Sequence, residues 1–292
     1  MKKIVTRIKG GLGNQLFCYA AARRLAIKSN AELVIDDVTG FARDFLYQRK
    51  YGLHRFNIQA RKATPSERFE PHERVRRSLK KFISRHQSFA NRSYIEQEGN
   101  DFDHRLINLN VNRTIYLDGY WQSEKYFKSI ENIIRQDLQI TPPDDELNMN
   151  MAYKIAKTIS VAIHVRWFDE SGGTSNISVD YYHDAISFME RKFNSPHYFL
   201  FSNNPNLVRK YLDLPKGRVT FISHNIGDEN AYADMWLMGL CQHFITANST
   251  FSWWGAWLGG GANKTVITPA LEISGIGSWG FKGLIPDDWI RI

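Results

Sequence analysis

The stretch "VAIHVRWFDESGG" (residues 161–173) begins as an apolar run and continues into an arginine and two acids. Three later runs have the same apolar character, namely "HYFLFS" (197–202), "RVTFIS" (218–223) and "HFITAN" (243–248). Segments with helical spacing separate these runs, and a further strand-like run, "KTVITP" (264–269), follows them. Apolar strands that alternate with helices predict a parallel sheet covered by helices on both faces.

The first part of the chain predicts a second α/β unit. "KIVTRIK" (3–9) is strand-like, "GGLGN" (10–14) is a glycine turn, and a helical segment leads to the strand-like "ELVID" (32–36). A further strand is expected within "RTIYLDGYWQ" (113–122), followed by a helix over 123–138. Two prolines and a charge run in "QITPPDDELNMN" (139–150) mark a domain boundary. We therefore expect domains at 1–145 and 146–292.

Composition places the chain among ordinary globular proteins, because 43% of its 292 residues are hydrophobic and 13% are aromatic. Cys18 and Cys241 lie far apart among apolar neighbours, which predicts two reduced, buried thiols. No run approaches the roughly 18 uninterrupted apolar residues of a membrane-spanning helix. The N-terminal apolar run is also too short for a signal peptide. These features predict a cytoplasmic protein.

The net charge of +8 is concentrated in residues 61–92, which contain ten lysines and arginines against three acids. Val75, Leu79, Phe82 and Ile83 recur at helical spacing among these cations, which predicts a basic amphipathic helix at 74–86. Such a helix either packs on its own domain or attracts phosphates, those of anionic lipid at the inner membrane face or those of nucleic acid. Aromatic residues for base stacking are sparse in this segment, so we expect no nucleic acid partner.

Polar residues follow four of the predicted strands, as "HVR" (164–166), "SNN" (202–204), "SHN" (223–225) and "NST" (248–250). Ligands of open parallel sheets bind outside the carboxyl ends of the strands, so these groups predict a binding site. Arg166 carries a permanent charge and a rigid fork of donors that suits phosphate or carboxylate. An ion pair with Asp169 or Glu170 is the alternative role for this arginine, and both readings stay open.

Two turns favour an anionic ligand. Asn248, Ser249 and Thr250 stand where the helix of "TFSWWGAWLGG" (250–260) begins, a position that suits phosphate oxygens as well as ordinary helix capping. The turn "GGLGNQ" (10–15) lacks the third glycine of a dinucleotide fingerprint and the lysine of a P-loop, so it is weak as a nucleotide signature. Its glycines nevertheless permit close approach of the backbone to a ligand, and Asn14 and Gln15 open the helix that follows. The acidic "DFD" (101–103) is read as a solvated turn, and we expect no metal site.

Five segments together resemble the bacterial α-1,2-fucosyltransferases of glycosyltransferase family 11. They are "GGLGNQLFCYAAARRLA" (10–26), "DGYWQSEKYF" (118–127), "HVRWFD" (164–169), "FSNNP" (201–205) and "YADMWLMGLCQHFITANSTFSWWGAWLGG" (232–260). The resemblance implies a GT-B-like α/β fold with two Rossmann-like domains facing a central cleft. It also implies inverting transfer from GDP-L-fucose, a substrate rather than a cofactor, to the 2-hydroxyl of a terminal β-galactoside, without metal. Surface-glycan synthesis such as that of O-antigen, with a lipid-linked acceptor, would fit this activity.

The resemblance also assigns individual residues. The family's H-x-R-R-x-D motif falls on His164, Arg166 and Asp169, with Arg166 as the ligand of the donor β-phosphate. Asp169 is the first candidate for the general base and Glu170 the second. Trp167 stands where the second arginine is usual, which keeps open a non-catalytic sugar-nucleotide or glycan-binding protein of the same fold. The donor-binding residues implied are Gly11, Gly13, Asn14, Gln15, His164, Asn203, Asp234, Asn248, Ser249, Thr250 and Phe251.

Overall fold

The computed structural model describes residues 2–167, 177–273 and 278–292. The chain divides into two compact units. Unit 1 comprises Met1–Gln139 with Lys282–Leu284, and unit 2 comprises Ile140–Phe281 with Ile285–Ile292. Each unit contains its own parallel sheet.

Unit 1 is built on a five-stranded sheet with the strand order β3-β2-β1-β5-β4, in which every described pairing is parallel. Its strands are β1 (Lys3–Arg7), β2 (Glu32–Asp36), β3 (Arg61–Lys62), β4 (Tyr94–Glu96) and β5 (Ile115–Asp118). Its helices are α1 (Leu12–Ser29), α2 (Glu73–Arg85), α3 (His104–Asn108) and α4 (Glu131–Asp137). The expected βαβ opening is therefore present, and α2 lies where the basic helix is predicted.

The predicted helix over 123–138 is only partly correct. Ser123 accepts a hydrogen bond from the backbone N–H of Lys125 and starts a short 3₁₀ turn, and α4 begins only at Glu131. Between them Tyr126 and Phe127 are buried, and the Phe127 ring packs 6.3 Å from the ring of Phe17 in α1. Phe127 has a φ of −133°, outside the helical range, so the packing of this segment rather than local helix propensity decides where α4 begins.

Unit 2 contains a six-stranded sheet with the order β11-β10-β9-β6-β7-β8, and its described pairings are again parallel. Its strands are β6 (Ser160–Val165), β7 (His197–Ser202), β8 (Val219–Ile222), β9 (His243–Ile245), β10 (Val266–Thr268) and β11 (Ile290–Arg291). Its helices are α5 (Glu146–Ala156), α6 (Val179–Lys192), α7 (Pro205–Tyr211), α8 (Ala231–Leu240) and α9 (Thr250–Leu258). The predicted alternation of strands and helices is confirmed.

The strand β6 is central in unit 2, and all six of its residues are buried. On one side Val165 pairs with Ser202 of β7, and on the other Ile163 pairs with Ile245 of β9. The tryptophans of α9 (Trp253, Trp254 and Trp257) are buried core residues, as expected for a helix that is apolar all round. This packing fixes the ends of β6, β7 and β9 against one another.

Both cysteines are buried free thiols, as predicted, and burial raises the pKa of Cys18 to about 12. In the ranges that the structure describes, no helix is both long enough and apolar enough to cross a membrane.

Candidate functional site

The carboxyl edge of the unit 2 sheet collects three of the predicted polar groups. His164 and Arg166 stand at the end of β6, Asn203 directly follows β7, and Asn248 follows β9 by three residues. Because β6 lies between β7 and β9 in a parallel sheet, these residues occupy adjacent positions on one edge. The structure therefore brings together the strand ends from which the sequence predicted a binding site.

The His164 side chain is buried, and its ring packs against Phe251 with the ring centroids 5.5 Å apart. Burial, and then the nearby positive charge of Arg166, lower the pKa of His164 to about 3. The imidazole is therefore neutral at physiological pH. Within the described ranges its buried Nδ1 atom has no hydrogen-bond partner, and the predicted contact of His164 with a donor stays a prediction.

The side chain of Asn203 holds the backbone beside Arg166. The Trp167 N–H donates to Asn203 Oδ1 at 2.9 Å, and Asn203 Nδ2 donates to the Trp167 carbonyl at 2.9 Å. An amide can make both bonds at once, whereas a carboxylate has no donor for the carbonyl. Sequence reasoning missed this positioning role. It predicted only that Asn203 contacts the sugar nucleotide, and that contact stays a prediction.

The start of α9 has the features of an anion-binding turn. Ser249 caps the helix, since its hydroxyl oxygen accepts a hydrogen bond from the Phe251 N–H at 3.3 Å. Thr250 is the first helical residue, and Asn248 before the cap is buried. The positive end of the helix dipole and the hydroxyl protons favour an anion at this position. Capping and anion binding are therefore compatible uses of the same residues.

Asp234, on α8, lies in a network of amides that sequence reasoning did not identify. Its Oδ1 accepts a hydrogen bond from Asn225 Nδ2 at 2.8 Å. Asn225 also exchanges two hydrogen bonds with the Asn148 amide of α5, at 2.9 and 3.0 Å. Burial raises the pKa of the Asp234 carboxyl to about 7, although the bond from Asn225 lowers it. Asp234 can therefore change charge near neutral pH.

In unit 1 the glycine turn follows β1. Gly10 has a φ of +75°, and a Cβ there would lie 2.9 Å from Asn14 Nδ2 and 3.2 Å from the Tyr120 ring. The turn therefore requires glycine at this position. Gly11 precedes α1 in an extended conformation, and Gly13 is buried in the first turn of the helix.

The two polar residues of this turn make structural hydrogen bonds. Asn14 accepts from Gln122 Nε2 at 2.7 Å, which ties the turn to the segment after β5. Gln15 donates to the carbonyls of Gly10 and Lys50 at 2.9 and 2.8 Å, and its Oε1 accepts from the Gly52 N–H at 2.8 Å. Their predicted contact with a donor is additional to these bonds and stays a prediction.

Asp118, at the end of β5, has the opposite electrostatics to Asp234. Burial raises the pKa of this carboxyl, but the charges of Lys9 and Arg7 outweigh burial and hold it at about 2. Lys9 lies 2.7 Å from one carboxylate oxygen, and the Tyr94 hydroxyl donates to the other at 2.6 Å. Asp118 is therefore ionised, and both of its carboxylate oxygens already have partners, which makes it a poor proton acceptor.

The candidate general bases Asp169 and Glu170 lie outside the described residues, between the ranges that end at 167 and resume at 177. Across the described ranges, no group of three or more histidines, cysteines, aspartates or glutamates could hold a metal ion.

Comparison with known proteins identifies the family. The model of glycosyl transferase family 11 matches residues 3–278. An Escherichia coli alpha-1,2-colitosyltransferase is 28% identical, with 100% of this chain and 99% of that protein aligned. The Escherichia coli O-antigen biosynthesis glycosyltransferase WbnK is also 28% identical, over 98% of this chain and 99% of that protein.

Among solved structures, the fold is similar to NodZ alpha-1,6-fucosyltransferase of Bradyrhizobium soaked with GDP-fucose, at a TM-score of 0.50 and 14% identity. That match covers 88% of this chain and 92% of NodZ, which supports the expected GT-B-like architecture. The chain is therefore a glycosyltransferase and belongs to glycosyl transferase family 11.

Proposed function

We propose that the chain transfers L-fucose from GDP-L-fucose to the 2-hydroxyl of a terminal β-galactose, with inversion and without a metal ion. The observation that carries this proposal is the placement of Arg166 and the α9 terminus at adjacent strand ends. A guanidinium group and the N-terminus of a helix both favour a diphosphate. In this proposal unit 2 binds the donor, and unit 1 receives the acceptor.

The reaction requires stabilisation of charge on the departing GDP. As the glycosidic bond breaks, its electron pair moves to the β-phosphate oxygen, where Arg166 and the Ser249–Thr250 turn supply positive potential that is already in place. The acceptor hydroxyl attacks the anomeric carbon from the opposite face and passes its proton to a carboxylate. We assign that carboxylate to Asp169, with Glu170 as the second candidate.

Asp234 is proposed to bind the guanine base. An ionised carboxylate can accept the N1–H and the exocyclic N–H of guanine together, and adenine lacks this pair of donors. The amides of Asn225 and Asn148 hold the carboxylate in position. This assignment gives the nucleotide end of the site a basis for selecting GDP.

The donor sugar has a close competitor. One relative is an alpha-1,2-colitosyltransferase by name, and colitose is L-fucose without its 3-hydroxyl. The test is a screen of GDP-L-fucose and GDP-colitose with β-galactoside acceptors, in EDTA, with mass spectrometry of the product. A fucosylated galactoside supports the proposal. Donor binding without GDP release would identify the non-catalytic alternative, and transfer that needs added Mg²⁺ would contradict metal independence.

The proposed substrates indicate where in the cell the enzyme would act. In this proposal GDP-L-fucose is taken from the cytoplasm, and a lipid-linked acceptor is reached at the inner face of the membrane. We therefore propose a cytoplasmic protein that acts next to this surface.

Replacing Asn203 with aspartate tests the role of its amide. The carboxylate would face the Trp167 carbonyl without a proton to donate, so the backbone beside Arg166 loses one of its two bonds. We expect the transfer rate constant to fall about tenfold, because the carboxylate repels the Trp167 carbonyl oxygen and loosens the backbone that positions the guanidinium.

The neighbouring Asn204→Asp is the matched control. Asn204 Oδ1 caps α7 by accepting from the Leu207 N–H at 3.2 Å, and aspartate caps a helix equally well. The measurement is kcat from GDP release. If Asn203→Asp has the same kcat as Asn204→Asp, the Asn203 amide does not position Arg166.

A further inference from the structure

The helix α2 packs on unit 1 through its polar face. The buried Ser84 hydroxyl accepts the Tyr94 N–H at 3.1 Å, and Arg77 donates to Thr39 Oγ1 at 2.8 Å. On the same side, Lys81 pairs with Glu96 of β4. These contacts fix the helix with its hydrophilic side toward the sheet, which is the reverse of the usual packing of an amphipathic surface helix.

The apolar face of α2 consequently points to solvent. Val75 is 69% exposed, Leu79 58%, Phe82 62% and Ile83 48%. With 3.6 residues per turn, the first three fall within an arc of about 60° on the helix surface. Apolar side chains that are aligned on one stripe and left exposed mark a surface that gains free energy when it is covered.

Cations border this stripe on both sides. Arg74 and Arg85 lie about a quarter turn from the stripe in one direction, and Arg76 lies about a quarter turn away in the other. All three are exposed, and Lys80 beyond Arg76 is exposed as well, whereas Arg85 already pairs with Glu96 at 2.9 Å. The helix carries six arginines and lysines against one glutamate, Glu73. An apolar centre with cationic borders matches a bilayer interface, where the apolar groups enter the acyl boundary and the cations reach lipid phosphates.

We propose that this outward face of α2 docks the enzyme on an anionic lipid bilayer. The alternatives fit less well. Nucleic acid would use the cations but leave the aligned Val75, Leu79 and Phe82 in water. A second copy of the chain would bring two strongly cationic helices together, which is unfavourable for association. The inference goes beyond the proposed transfer reaction, and vesicle binding needs no sugar nucleotide, so the two can fail separately.

The experiment is co-sedimentation of the full-length protein with vesicles of phosphatidylcholine alone and of phosphatidylcholine mixed with phosphatidylglycerol. We expect binding to the anionic vesicles only. Leu79→Ser/Phe82→Ser should weaken it about thirtyfold, because two apolar side chains no longer leave water. Arg74→Gln/Lys80→Gln should weaken it about 25-fold at low salt, at about fivefold per cation near the surface.

Two further variants complete the design. Leu147→Ser/Tyr153→Ser removes two exposed apolar side chains from α5 in unit 2 and should leave vesicle binding unchanged. Val75→Trp enlarges the apolar stripe and should tighten binding, which tests the proposal even if the serine variant fails to fold.

Three results would overturn this proposal. The first is no binding of the unaltered protein to anionic vesicles. The second is a folded serine variant that binds anionic vesicles as well as the unaltered protein does, with duplex DNA displacing it from them. That result would identify a general polyanion-binding surface. The third is a concentration-dependent dimer that the serine variant abolishes while vesicle binding persists.

Discussion

Arg166→Ala is expected to lower the rate of transfer by about a thousandfold or more, because it removes the fixed positive charge proposed to stabilise the departing diphosphate. Arg166 is half-buried at the end of β6, beyond a strand whose residues are all buried. Its removal leaves that strand and the core of unit 2 intact. The variant should therefore still melt cooperatively, close to the temperature of the unaltered protein.

Arg166→Lys is the informative companion. It keeps the charge but replaces the planar fork of donors with a single ammonium group, so we expect activity between that of alanine and that of arginine. The measurement is GDP release in the presence of acceptor, together with donor affinity from a binding titration. Near-normal turnover of the alanine variant would remove Arg166 from the mechanism. Such a result would favour the other reading, an ion pair with Asp169 or Glu170.

Asp234→Asn is expected to weaken GDP binding about tenfold to a hundredfold at pH 8, because an ionised acceptor for two guanine N–H groups is lost. Discrimination between GDP and ADP should fall by the same factor. In the unaltered protein GDP affinity should rise as pH increases through about 7, the pKa to which burial raises this carboxyl. In the variant this rise should disappear.

Asp234→Asn should weaken GDP binding but increase the stability of the folded protein. The folded-state pKa of Asp234, about 7, lies above its ordinary value of 3.8, so its contribution to stability is full below about 4 and is lost as pH rises to 7. The melting temperature of Asp234→Asn should therefore exceed that of the unaltered protein by an amount that grows over this pH interval. Asp184→Asn, on the exposed surface of α6, is the control for a general charge effect.

If Asp234→Asn binds GDP normally and its melting advantage is the same at all pH values, the carboxyl neither contacts guanine nor titrates near pH 7. A loss of GDP affinity without any change in pH dependence would instead point to distortion of the Asn225–Asn148 network. The two measurements together separate the functional role of this residue from its structural cost.

Much of the unit 2 fold was predictable because β6, β7 and β9 are continuous apolar runs that end in polar residues. Such runs identify buried parallel strands, and their ends locate a ligand edge whatever the ligand is. The role of Asn203 was not predictable in the same way. Its two bonds to Trp167 depend on the alignment of β6 with β7, and strand spacing alone does not reveal that register.

The orientation of α2 shows a second limit of sequence reasoning. Periodicity predicted an amphipathic helix correctly, but it says only which residues share a face and not which face packs. The polar contacts of Ser84, Arg77 and Lys81 with distant parts of unit 1 decide that question. Similarly, the return of Lys282–Leu284 to unit 1, where the Phe102 N–H donates to the Lys282 carbonyl, joins segments far apart in sequence.

The most direct test of the central claim, a permanent side-chain cation facing the diphosphate of the donor, is a crystal structure of the protein with GDP bound. We predict that a β-phosphate oxygen lies within about 3 Å of the Arg166 guanidinium nitrogens. A diphosphate that binds away from this guanidinium, or that reaches the protein only through a bound metal ion, would contradict the account.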